Sequence, residues 1–240
     1  MPRPEDDLRR KCREHLAAIQ DRVAEACQRA GRAVDGVTVI AVTKYVDADI
    51  ARALVDVGCR DLAESRPQLL WEKAAALAAA APRWHLVGHL QRNKVRRTLP
   101  LVALVHTLDS PRLLEAIETE AALAGLTSDV LVEVNLTPDP ARSGAVEADV
   151  PRLVAAAASS PHVRLRGLMG MASHPDTAAA DARRDFARLR ELRDRLAVDL
   201  PPGTLGELSM GMSGDFEEAI LEGATMIRIG SALVEGLAER

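Results

Sequence analysis

VTVIAVTK, residues 37–44, decides the fold: it is an apolar, β-branched run of strand length that ends on a lysine and leads at once into the amphipathic DADIARALVDVG of residues 47–58. The same alternation recurs to the end of the chain. Residues 37–43, 61–64, 84–88, 103–107, 130–135, 163–169, 206–211 and 225–229 read as strands. Between them lie helical patterns such as SPRLLEAIETEAALAG (110–125) and DARRDFARLRELRDRLAVDL (181–200), whose charges fall on a solvated face. Strict alternation of strand and helix implies parallel strands with right-handed crossovers, and eight such units are the number that closes a (β/α)8 barrel. A doubly wound open sheet is the competing α/β arrangement; no GxGxxG follows the first strand, which disfavours it. The expected architecture is therefore a single TIM-type barrel domain over residues 1–240, with the barrel at about 37–235. Leu8, Cys12, Leu16, Ile19, Val23 and Ala26 recur at helical spacing before Gly31 and predict an additional N-terminal helix at about 5–30. AAALAAAAP (74–82) reads as a helix stopped by its proline.

With 240 residues and 48% hydrophobic content the chain can bury one large core. A net charge of −4 supplies no basic field for nucleic acid, and Tyr45, Trp71, Trp84, Phe186 and Phe216 are few aromatics for stacking on bases. Cys12, Cys27 and Cys59 are odd in number and form no CxxC, so they read as plain thiols in a reducing compartment. A charged N-terminus and the absence of a membrane-length apolar run point to a cytoplasmic protein.

Three elements carry chemistry. Lys44 delivers a nucleophilic amine to the end of the first strand, a placement suited to Schiff-base formation, although strand-end lysines also simply snorkel into solvent. SMGMSGDFEEAI (209–220) sets Ser209, Gly211 and Ser213 before a helix expected to open at about Gly214; its amides and Ser213 hydroxyl suit a phosphate, or an ordinary N-cap. MIRIGSAL (226–233) buries Arg228 just before Gly230 and Ser231. A guanidinium there needs a partner, either a carboxylate such as Glu133 or an acceptor on a ligand. Loops after strands seven and eight of such barrels often hold phosphate, and closure brings the first strand beside the eighth. Asn135 at the end of strand five offers a polar floor, and Met169 is core filler or a surface for a planar ring. His85 and His89 form an HxxxH without an HExxH pattern, so no metal is expected.

AVTK, WHLVGHLQRNK, HTLDS, VEVNL with RSG, VRLRGLMGM, LSMGMSGDFEEAI and MIRIGSAL, in that order from about Val37 to Leu233, resemble the pyridoxal phosphate homeostasis protein family, which is related to the N-terminal barrel of alanine racemase. The resemblance implies pyridoxal 5'-phosphate as cofactor, Lys44 as its Schiff-base lysine, Ser213, Gly230 and Ser231 on its phosphate, and Arg228 facing its pyridine nitrogen. It implies a role in vitamin B6 homeostasis, holding the cofactor and buffering or delivering it to apo-enzymes without catalytic turnover. A second domain of the racemase kind is not expected, and a monomer is. The chain departs from the family's pattern in two places: Ala63, Glu64, Ser65 and Arg66 stand where the family often reads GEN and an aromatic, and Arg142 stands where it often has lysine. A racemase-like enzyme acting on amino acids, and a sugar-phosphate barrel enzyme using Lys44 on its substrate, are the alternative readings.

Overall fold

The period-two alternation of the strands sorts their side chains into two populations, one facing the surrounding helices and one facing the barrel axis. The computed structural model describes residues 4–137, 142–173 and 181–237. Its strands are β1 (Thr38–Val42), β2 (Asp61–Glu64), β3 (Arg83–Leu86), β4 (Leu104–Leu108), β5 (Ser128–Asn135), β6 (Ala145–Val146), β7 (Val163–Gly170), β8 (Glu207–Met212) and β9 (Met226–Ile229). They run in the order β4-β3-β2-β1-β9-β8-β7-β5-β6, all parallel, and a β4–β5 pairing closes the ring. Eight strands make the barrel; β6 is a two-residue addition against Val134 and Asn135. It was not expected from the sequence, because two residues carry no period.

The helices are α1 (Pro4–Arg29), α2 (Ala48–Asp56), α3 (Pro67–Ala76), α4 (Val95–Thr98), α5 (Pro111–Ala124), α6 (Val150–Ala158), α7 (Ala182–Ala197), α8 (Phe216–Leu221) and α9 (Ser231–Val234). Local chemistry starts several of them. Asp47 accepts from the Asp49 and Ile50 amides, Ser110 from Leu113 ahead of a proline at the first turn, and Asp181 from Arg184. Gly125 ends α5 in the left-handed conformation at φ 64°. The alanine-rich stretch behaves differently from expectation: α3 ends at Ala76, a 3-10 turn follows over Ala78–Ala80, and Ala81 at φ 44° precedes Pro82. The proline therefore follows the turn; it does not stop the helix.

Outward residues such as Leu62, Trp84, Leu86, Val105, Leu208 and Ile227 are buried under the helices and form the main core. Cys12, Leu16, Ile19, Val23, Ala26 and Cys27 of α1 join it, docking α1 against α2, α8 and α9. All three cysteines are buried free thiols, and burial pushes Cys59 up to about 12. Inside the barrel, Leu104, Leu131 and Met169 form a small separate apolar cluster with Met226 against it. Below it the first residues of the strands surround a charged opening, where Arg83 pairs with Asp61 at 2.6 Å and Arg166 lies 3.6 Å from Asp129 and 3.5 Å from Glu207.

The candidate ligand site at the C-terminal mouth

Closure places β9 between β1 and β8, so the residues that follow these three strands share one sector of the C-terminal rim. Ile40 is paired with Arg228 in the β1–β9 register, and Lys44 lies just beyond the same strand. Lys44 keeps the parity of Thr38, Ile40 and Val42, but it sits in the turn after β1 and is exposed. Its Nζ lies 4.8 Å from the centre of the Tyr45 ring, so the barrel walls do not enclose it.

The backbone leading to Lys44 is held from behind by a cluster that sequence reading missed. Lys73 of α3 donates to the Thr43 carbonyl at 2.7 Å and to Glu64 Oε1 at 2.5 Å, while the Thr43 hydroxyl donates to the same oxygen at 2.7 Å. All three side chains are buried, and Glu64 Oε2 has no hydrogen-bond partner. Glu64 thus faces the helices and not the mouth; Ser65, the next residue, contacts Gly88 so closely that a Cβ there would lie 2.1 Å from the Ser65 carbonyl oxygen. A lysine inside a helix that otherwise buries apolar side chains was the available signal.

Ser213 joins the β8 and β9 turns. Its Oγ accepts from the Gly230 amide at 3.2 Å and the Ala232 amide at 3.4 Å, which brings Ser213, Gly230 and Ser231 into one loop pair. It is not the cap of the following helix. α8 opens at Phe216, two residues later than expected, behind Asp215, whose carboxylate accepts from the Met212 amide at 2.6 Å. Gly211 is required for a different reason than ligand approach: at φ 91°, with a Cβ that would fall 2.6 Å from Ala219 Cβ, it lets α8 sit against β8. At Gly230 an added Cβ would meet only Val42, at 3.6 Å.

Arg228 is buried, and its protein partners do not include the carboxylate expected for it. Nη1 donates to Ser209 Oγ at 2.7 Å and Nη2 to the Gly170 carbonyl at 3.0 Å. Burial pushes its guanidinium down to about 10, against the opposing pull of Asp215 and Glu133, so it stays charged at neutral pH. Glu133 bonds instead to the Ser143 hydroxyl at 2.5 Å. Burial raises its pKa and Asp109 adds to the effect, while Ser143, Arg228 and His89 oppose it. Burial likewise raises Asp215. The mouth therefore sets a buried, charged guanidinium near two acids whose pKa values burial raises.

Asn135 organises its own loop, its Oδ1 accepting from the Thr137 amide and hydroxyl, both at 2.9 Å. Met169 lies deeper, in the apolar cluster with Leu104 and Leu131. His89 is exposed, 3.6 Å from Asp109, whereas His85 points into the barrel. Among the described residues no group of three or more His, Cys, Asp or Glu is placed to hold a metal, and no helix is long and apolar enough to cross a membrane. A cavity of about 580 Å³ beside Met212, Gly214 and Asp215 is lined across from them by Arg142, Ser173 and Arg183.

The residues at this mouth suit a small molecule that carries a phosphate, an aldehyde and an aromatic nitrogen. The paired β8 and β9 turns present amides and hydroxyls, Lys44 an amine, and Arg228 a donor only. Known proteins resemble this chain over most of its length. The model of the alanine racemase N-terminal domain family matches residues 15–237. A pyridoxal phosphate homeostasis protein of Aquifex aeolicus is 36% identical over 220 residues, covering 92% of this chain and 96% of the relative. The structure of PipY from Synechococcus elongatus, with pyridoxal phosphate bound, superposes with a TM-score of 0.81 at 32% identity, covering 92% of this chain and 99% of that one. An alanine racemase of Clostridium difficile, in complex with cycloserine, shares the fold at a TM-score of 0.71 and 13% identity, covering 89% of this chain and 58% of its own.

Proposed function

Because this chain belongs to the pyridoxal phosphate homeostasis proteins of the alanine racemase N-terminal domain family, we propose that it binds pyridoxal phosphate at the C-terminal mouth of its barrel and serves vitamin B6 homeostasis. The observation that carries the reading is the gathering, on three adjacent strands, of an amine, a buried guanidinium and a pair of turns joined through Ser213. In this reading the Lys44 amine condenses with the cofactor's aldehyde as a Schiff base, with loss of water. Ser213 and the Gly230 and Ser231 amides hold the phosphate, and Arg228 faces the ring nitrogen. Ser209 supports Arg228, Gly211 supports the turn before Ser213, and Asn135 and Met169 bound the site from the β5 and β7 side.

When bound, the cofactor supplies an electron-withdrawing ring to an attached amine. Arg228 limits that property, because a permanently charged donor disfavours a proton on the ring nitrogen. The role that follows is holding, buffering and delivering the cofactor as a cytoplasmic, monomeric single-domain protein, without catalytic turnover. The names of the homeostasis relatives support it.

The test is the visible spectrum of purified protein with pyridoxal phosphate, before and after borohydride reduction, followed by peptide mapping. Lys44→Ala is expected to abolish the band while the far-ultraviolet circular dichroism is unchanged. A label found on Lys94 or another lysine refutes the assignment.

A further inference from the structure

Five polar side chains at inward positions of this barrel form one continuous path. Asp61 Oδ1 lies 2.9 Å from His85 Nε2, His85 Nδ1 lies 2.9 Å from His106 Nε2, His106 Nδ1 lies 2.9 Å from Ser209 Oγ, and Ser209 Oγ accepts from Arg228 at 2.7 Å. All five side chains are buried. The path begins at the charged opening below the barrel, where Asp61 and His85 line a cavity with Arg83. It climbs β2, β3 and β4 and then crosses the interior from β4 to β8, two strands that are not neighbours in the sheet. It ends at the guanidinium proposed to face the cofactor.

Hydrogen-bond chemistry constrains the path. Burial alone would raise the Asp61 carboxyl, but hydrogen bonds from His85 and Arg83 outweigh it and hold the pKa below the ordinary range, so Asp61 is an acceptor only. His85 therefore donates through Nε2. Burial, and then the charges of His85 and Arg228, push His106 well below its ordinary pKa, so it carries one ring hydrogen. The contacts form an unbroken set of donor–acceptor pairs; where each ring carries one hydrogen, His106 donates through Nε2 to His85 Nδ1 and the Ser209 hydroxyl donates to His106 Nδ1. The Ser209 oxygen must then turn its lone pairs toward Arg228. With Ser209 and the Gly170 carbonyl both accepting from it, the plane of the guanidinium is set.

We propose that Asp61, His85, His106 and Ser209 are positioning residues, a hydrogen-bonded file through the barrel that fixes the orientation of Arg228 toward the ring nitrogen. The inference rests on the proposed placement of the cofactor. Because the file transects the barrel, a break far from the mouth reaches the ring nitrogen through Arg228, without contact to the ligand.

The experiment uses the full chain loaded with pyridoxal phosphate enriched in 15N at the ring, with the ring-nitrogen chemical shift and the cofactor Kd as readouts. Ser209→Ala and His106→Leu are expected to move the 15N signal in the same direction as Arg228→Gln and to weaken Kd by about tenfold. Asp61→Asn keeps the shape and removes the charge; it moves the signal in the same direction by less. Leu168→Ala, buried in the outer core away from the file, lowers thermal stability and leaves the signal in place. An unchanged signal in Ser209→Ala and His106→Leu, with Arg228→Gln still effective, reduces the file to core packing and overturns the proposal. An unchanged signal in Arg228→Gln overturns the placement of the ring itself, and the role of the file with it.

Discussion

Gly230 has room for a side chain as far as the protein is concerned, since an added Cβ meets only Val42 at an ordinary 3.6 Å. The space such a side chain would take is the space assigned to the phosphate. Gly230→Val is therefore expected to leave the melting temperature near that of the wild type and to weaken pyridoxal phosphate binding more than Ser231→Ala does; equal affinities, measured by absorbance titration, would move the phosphate elsewhere. His106 makes a second prediction. Its folded pKa lies well below the 6.5 of a free imidazole, so the unfolded chain binds the extra proton first. The contribution of His106 is present above about pH 6.5 and is lost as pH falls toward the folded value. Urea unfolding between about pH 8 and pH 5 should show a steeper loss for the wild type than for His106→Leu. Lys44, Ser213, Arg228, Gly230 and Ser231 were legible in the sequence because each closes or follows an apolar run. His85 and His106 were not, because the bond between them and the step to Ser209 exist only once β3, β4 and β8 are wrapped around one axis.

The elements around the site depend on buried charges as well as on apolar faces. Among the described residues Lys73 of α3 and the Thr43 hydroxyl donate to Glu64 Oε1, and the second Glu64 oxygen has no donor. Lys73→Met should cost about 3–5 kcal/mol, because it strands a buried carboxylate. Lys73→Met combined with Glu64→Leu should recover much of that loss in urea unfolding, and failure to recover would mean that the Thr43 carbonyl is the partner that matters. The order of strands and helices was readable from period alone, and the strand bounds differ from expectation by one or two residues, the ordinary uncertainty of a frayed end. What period does not carry is capping between distant turns. Ser213 looks like the cap of the nearest helix, yet its oxygen serves the β9 turn, and Asp215 takes the place before α8. The α3 cluster escaped for the same reason, since Lys73 and Glu64 meet only when helix and strand pack.

At the scale of the whole molecule, closure of the barrel brings three separate sequence signals to one sector of the rim, and in the proposed placement of the cofactor the charge of Arg228 governs what that sector does. With the ring nitrogen facing a guanidinium, exchange of the α-proton of bound amino acids should be slow. Incubation of the loaded protein with L-alanine in deuterated water tests this: α-deuteration at about 1 per second or faster would establish an ordinary enzyme, whereas transfer of the cofactor to an apo-enzyme without exchange supports homeostasis.

The exposed turn that carries Lys44 has a kinetic consequence. In the proposed placement solvent would reach the carbon–nitrogen linkage without any described helix or loop swinging aside, so hydrolysis, and not breathing of the fold, is expected to set residence time. Release should then respond to free amines in the medium, which capture the aldehyde directly, and hardly at all to added viscogen. A strong dependence on viscosity would reveal a gate. Without one, the protein behaves as an open berth, whose traffic follows the supply and demand of amines around it.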